Sequence, residues 1–172
     1  MKKLQLALVA SAIAVTGSSV NAATDGTLAG TSTGTSVVTI IKDNAVQITN
    51  VADLNMNTHA TLAADMTLGD DVCVFSSTTN YDVTVTADTG DFVLAGATAG
   101  SLPFSLTWQQ GTNPAVALGH NVTSPAMVGD NTSLNCGGGT NATFAATVLA
   151  TDFNAAAPDA YSATISILVS PQ

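Results

Sequence analysis

Apolar and polar residues alternate along several short stretches of this chain. Tyr81, Val83, Val85 and Ala87 share one face of a predicted strand whose other face carries Asp82, Thr84, Thr86 and Asp88. The same period runs through Phe104, Leu106 and Trp108, against Ser105, Thr107 and Gln109. It recurs in Phe144, Ala146, Val148 and Ala150, and in a closing strand that turns Tyr161, Ala163, Ile165, Ile167 and Val169 inward. A period of two marks a strand with one face buried. Shorter strands are predicted at residues 45–49, 72–75, 92–94 and 116–118. The cluster Val37-Val38-Thr39-Ile40-Ile41 is apolar on both registers, as in a strand covered on both faces. Residues 52–70 show no clean period and read as loop, with room for one helical turn.

Seven or more short strands separated by turn signals predict an all-β fold, an antiparallel β-sandwich. Its expected core comprises Tyr81, Val83, Val85, Leu106, Trp108, Phe144, Val148, Tyr161, Ile165 and Ile167. An outer-membrane barrel needs aromatic girdles, and this chain is 5% aromatic and ends in Ser170-Pro171-Gln172. The triplet Gly137-Gly138-Gly139 predicts a sharp turn or a close backbone approach.

The first residues change the picture. Lys2 and Lys3, an apolar run over residues 4–15 and the small residues of Val20-Asn21-Ala22 predict a secretory signal peptide at residues 1–22. Beyond it, Lys42 is the single basic side chain against twelve carboxylates, all Asp, a side-chain charge of −11. Such a balance offers nothing cationic to nucleic acid or to anionic lipid, so neither is an expected partner. Residues 23–36, rich in Gly, Ser and Thr, predict a flexible arm leading into the strand at 35–42. Residues 37–172 are the expected sandwich domain.

Cys73 and Cys136 in an exported chain predict one disulfide; they lack the close spacing of a zinc or redox pair. Other candidate chemistry is thin. Asp88-Thr89-Gly90 matches the core of an aspartic protease motif, but it stands once and without the flanking residues, and it reads as a turn. His59 and His120 are the available general bases, and neither sits in a nucleophile elbow or a metal-binding pair. Asp70, Asp71, Asp88 and Asp91 lack the spacing of a calcium loop. The glycosylation triplets at Asn121, Asn131 and Asn141 are expected by chance in a chain this rich in Asn and Thr. Trp108 reads as core rather than as a sugar platform. The expectation is a structural protein, not an enzyme, with no cofactor and no metal.

Four pieces in order carry a resemblance. They are the Cys73 strand leading into Tyr81-Asp-Val-Thr-Val-Thr, then Leu102-Pro-Phe-Ser-Leu-Thr-Trp, then the strand at 144–149, and Pro158-Asp-Ala-Tyr-Ser-Ala-Thr-Ile-Ser-Ile-Leu-Val-Ser. Together the pieces resemble subunits of the alternate and archaic chaperone–usher fimbriae and the related spore coat protein U domain. The resemblance covers residue 73 to the C-terminus; residues 52–70 have no counterpart in it.

It implies an immunoglobulin-like sandwich lacking one strand, completed by the N-terminal arm of the next subunit. Val37, Val38, Ile40 and Ile41 are then the donor-strand residues. Copies of the same chain are the partners, along with a periplasmic chaperone and an outer-membrane usher, and the location is a cell-surface fimbria. The alternative is a stand-alone secreted or surface binding domain whose N-terminal strand completes its own sandwich. Either way the strand at 37–41 is expected to be paired, since an unpaired β-branched edge is an aggregation hazard.

Overall fold

The computed structural model describes residues 23–98 and 100–172. The expected signal peptide, residues 1–22, lies outside the described residues. A boundary between Lys42 and Asp43 divides the chain into two units. Within the first unit, Thr24 and Thr35 exchange backbone hydrogen bonds of 3.1 and 3.0 Å. Their hydroxyls meet at 2.6 Å. The Gly/Ser/Thr stretch between them is thus closed into a loop. Residues 36–45 form no strand.

The second unit, residues 43–172, is an antiparallel β-sandwich of immunoglobulin-like type with one disulfide. Its strands are β1 (Val46–Thr49), β2 (Met66–Ser76), β3 (Asn80–Ala87), β4 (Val93–Gly96), β5 (Ser101–Pro103) and β6 (Ser105–Gln110). They continue with β7 (Val116–Leu118), β8 (Met127–Val128), β9 (Ala142–Val148), β10 (Tyr161–Ser162) and β11 (Ile165–Pro171). One sheet runs β1-β2-β9-β6-β7; two three-stranded sheets, β11-β3-β8 and β10-β4-β5, complete the sandwich.

The long β2 serves two neighbours. Its first seven residues, Met66 to Val72, pair with β9, and Cys73 to Ser76 pair with β1. Gly69 permits this close ladder, because a Cβ there would lie 3.3 Å from a Thr143 methyl and 3.4 Å from the Phe144 carbonyl. The expected loop over 52–70 therefore ends earlier than its sequence suggests, at Met66.

The alternating faces meet in the core. Val72, Val74, Leu106, Trp108, Phe144, Ala146 and Val148 come from the first sheet, and Tyr81, Val83 and Val85 from β3. Cys73 points away from Val72 and Val74, yet it is also fully buried. The reason is covalent: Cys136, at the start of a short 3-10 turn, is bonded to it with the Cα atoms 5.9 Å apart. Gly137 and Gly138, at φ of 65° and 88°, make the turn that brings Cys136 there.

Three features depart from the sequence reading. The strand expected to run to Ala150 stops at Val148, and Ala150 instead opens a helix, α1 (Ala150–Ala155). A side-chain oxygen of Asp65 accepts its first N–H at 2.9 Å. The closing strand is broken in two: at Thr164 the chain bonds to Asp88 through both the Asp88 N–H and the Asp88 carboxylate. β10 consequently pairs with β4, and β11 with β3. Finally, Tyr161, Ile165 and Ile167 are half-buried rather than core. The physical cause is their place at an open edge.

Candidate functional site

β11 is an edge strand. It pairs with β3 along its full length, from Ile165 opposite Ala87 to Pro171 opposite Tyr81, and among the described residues its other edge has no strand partner. Its side chains alternate, with Ile165, Ile167 and Val169 turned toward the core and Ser166 and Leu168 turned to solvent. An inward residue on a closed sandwich would be sealed by the next strand. Here no strand among the described residues pairs with that edge, and the three inward residues remain half-buried.

The gap is a cleft of about 480 Å³. Its lining brings together Tyr161, Ile165 and Ile167, the buried Phe104, Phe144, Ala146 and Val148 as its floor, and residues 51–57. Phe144, Ala146 and Val148 are successive inward residues of β9, so the floor is a continuous apolar row along the strand. Phe104 is fixed by its N–H, which donates to the Phe92 carbonyl at 3.0 Å. Asp53, Asn55, Asn57, Ser162 and Thr164, all exposed, stand at the rim of the cleft. An apolar floor beside an unpaired strand edge suits an extended peptide: main-chain groups complete the ladder and alternate side chains fill the floor.

The residues of the first unit expected to supply such a peptide are exposed. Val38 and Ile40 are 94% and 93% accessible, and Val37 and Ile41 are also exposed. The structure gives them no strand of their own.

The candidate chemical groups are not gathered into a reaction centre. The exposed His59 donates from Nε2 to the Met56 carbonyl at 2.9 Å. His120 stands edge-on to the Phe92 ring, with centroids 5.5 Å apart. Its Nε2 is buried with no hydrogen-bond partner among the described residues. Asp88 is taken up by the Thr164 N–H. Asp70 accepts the Ala52 N–H at 2.7 Å, and Asp71 accepts the Thr143 hydroxyl. Among the described residues no group of three or more His, Cys or Asp is placed to hold a metal ion. Trp108 is fully buried and offers no face to a sugar. No helix of the described residues is long and apolar enough to cross a membrane.

The cleft was only half visible in the sequence. Alternation identified its walls, but an edge strand and a central strand of the same pattern look alike until the pairing is known. The contribution of residues 51–57 was missed altogether, although Leu54 and Met56, two residues apart, carry the only hint of a period there.

The sequence matches no known family model and no curated protein. In three dimensions it is similar to a chain of a solved chaperone–tip adhesin complex described as vital for the synergistic activation of CFA/I fimbriae biogenesis. The two share 14% identity with a TM-score of 0.54, over 74% of this chain. The match spans 42% of that chain's length, so the likeness is one of fold.

Proposed function

We propose that this chain is a secreted structural subunit of a bacterial surface fimbria, joined to its neighbours by donor-strand exchange. The observation that carries the reading is the free edge of β11 above its apolar cleft. In the filament, residues 35–42 of one copy lie along β11 of another, and Val38 and Ile40 turn onto the floor of Phe144, Ala146 and Val148. Burying each of these side chains is worth about 1.5–3 kcal/mol, and the ladder satisfies the unpaired backbone groups of β11. The contact is head-to-tail and does not close on itself, so repetition gives a fibre.

Several features support the reading. The exposed arm residues are apolar on both registers, so one register, Val38 and Ile40, is available to meet the cleft floor. Lys42, the single basic side chain beyond residue 3, lies at the end of the proposed strand, while residues 43–172 hold eleven Asp and no Lys or Arg. The fold resembles that of a chain from a fimbrial chaperone–adhesin complex. The proposal includes a periplasmic chaperone that covers the cleft before assembly, an outer-membrane usher, and no enzymatic activity.

Deleting residues 23–42 tests it. The truncated domain is expected to be poorly folded alone and restored by a synthetic peptide of residues 35–42, and SDS-resistant ladders on unboiled gels are expected to vanish. A truncated domain that stays a stable, cooperative monomer without the peptide would sink the donor-strand reading.

A further inference from the structure

Residues 51–57 do more than border the cleft. Leu54 and Met56 are half-buried and packed against the core, whereas Asp53, Asn55 and Asn57 face outward. Two apolar side chains at i and i+2 is also the pattern that Val38 and Ile40 present in the arm. Yet this segment is not a strand, and among the described residues it makes no backbone-to-backbone hydrogen bond. Its one described hydrogen bond to another element is the Ala52 N–H to the Asp70 carboxylate on β2, 2.7 Å. The others are local, from the Asn57 N–H to the Asn55 side chain and from His59 to the Met56 carbonyl. It is bracketed by Asn50 and Asn57, with φ of 65° and 63°. Positive φ is tolerated by Asn and is a place where an extended chain changes direction.

A segment with no backbone-to-backbone hydrogen bond among the described residues, tied to another element by the Ala52 N–H and lining the cleft with two apolar residues, has the properties of a placeholder. Segments with few backbone bonds open at low free-energy cost. We propose that residues 51–57 are a displaceable strap that fills part of the empty cleft with Leu54 and Met56 and swings out at Asn50 and Asn57 when a donor strand enters. The inference rests on the donor-strand reading and adds its regulation. The strap covers only part of the floor, so the unfilled subunit still depends on a chaperone or a donor strand, and assembly proceeds by exchange of one apolar pair for another.

A fixed wall and a displaceable strap predict opposite outcomes at Met56. The full chain is mixed with excess fluorescent 35–42 peptide, binding is followed by anisotropy, and methionine oxidation by dilute peroxide is read by mass spectrometry. Met127, buried in the core, serves as the internal control. If the strap is displaced, Met56 oxidises several-fold faster in the peptide complex than in the free chain. Protection of Met56, or an unchanged rate in a saturated complex, overturns the strap and leaves the donor-strand reading intact.

Asp70→Ala, which loosens the tether without touching the cleft lining, is expected to raise the association rate several-fold with little change in the dissociation rate. An unaltered association rate counts against the strap. If no peptide binds to either protein, the donor-strand reading itself fails and the strap with it.

Discussion

Trp108 and Tyr81 meet edge to face between the two layers of the sandwich, their ring centroids 6.4 Å apart and their planes at 73°. The indole N–H donates to the Tyr81 hydroxyl at 3.2 Å. One residue stands on β6 and the other on β3, and both are fully buried, so a single contact joins the sheets with its polar atoms paired. Trp108→Ala is expected to cost about 3–5 kcal/mol through the cavity it leaves. Trp108→Phe keeps most of the volume but strands the Tyr81 hydroxyl, at a cost of about 1–3 kcal/mol. Urea titrations of the three proteins check both values, and equal midpoints for wild type and Trp108→Phe would show that the hydrogen bond contributes nothing net.

Alkaline pH acts on the same pair. Burial pushes the Tyr81 phenol above its ordinary value, and the hydrogen bond from Trp108 offsets this in part. The folded state therefore holds its proton at a pH where the unfolded chain releases it. That contribution is intact below the unfolded pKa of about 10 and is lost as pH rises from there through the folded value. Tyr81→Phe is expected to flatten the fall of urea stability above pH 10, and an unchanged slope would refute the assignment.

The disulfide should matter through the length of chain it closes. Cys73 and Cys136 are 63 positions apart, and a loop of that size is worth about 4 kcal/mol in the chain-entropy model. Reduction, or a Cys73→Ala/Cys136→Ala variant, is expected to lower the urea midpoint accordingly. A shift below a quarter of that size would mean that the reduced chain retains structure around residues 133–139.

Asp130 provides the acid-side counterpart. The Thr132 hydroxyl, the Thr132 N–H and the Ser133 N–H all donate to its carboxylate and hold its pKa below the ordinary value. Its contribution is present above the unfolded pKa of about 4 and is lost as pH falls through the folded value. Asp130→Asn is expected to weaken the loop at neutral pH and to reduce the dependence of stability on pH between 5 and 2. The nearby disulfide gives a local readout, since faster reduction of Cys136 in the variant would report the loosened segment.

Under the donor-strand proposal, charge separates peptide capture from polymerisation. The domain carries eleven carboxylates and no Lys or Arg, whereas a 35–42 peptide carries Lys42 alone. Salt screens attraction and repulsion alike. Peptide association is therefore expected to slow as ionic strength rises, while subunit polymerisation speeds up because two acidic domains must approach. Stopped-flow anisotropy and light scattering over the same salt series check the two signs. The same sign in both would remove electrostatics as the controlling influence.

The sandwich was legible wherever one face is buried and the other wet. Tyr81, Val83 and Val85, or Phe144 and Val148, announce their strands because burial and alternation coincide. The break at Thr164 was not legible, because it depends on Asp88, a residue 76 positions away whose side chain takes the Thr164 N–H. Helix α1 was hidden for a similar reason, since the acceptor for its first N–H comes from Asp65. The half-burial of Ile165 and Ile167 is a property of the sheet rather than of the strand. Pattern alone assigned them to the core because it records which side chains point inward, not whether anything lies beyond them.

The boundary between Lys42 and Asp43 also bears on how the protein meets digestive enzymes. Beyond Lys3 the chain contains one bond that trypsin recognises, and that bond lies at the junction of the arm and the sandwich. A single cut would sever one unit from the other and leave the sandwich without a second site, whatever its state of folding. Exposed arms would be clipped at this peptide bond, and arms sheltered along a neighbour's β11 would be spared. If donor strands pair as proposed, the fraction surviving intact at residue 42 counts the arms that have found a partner.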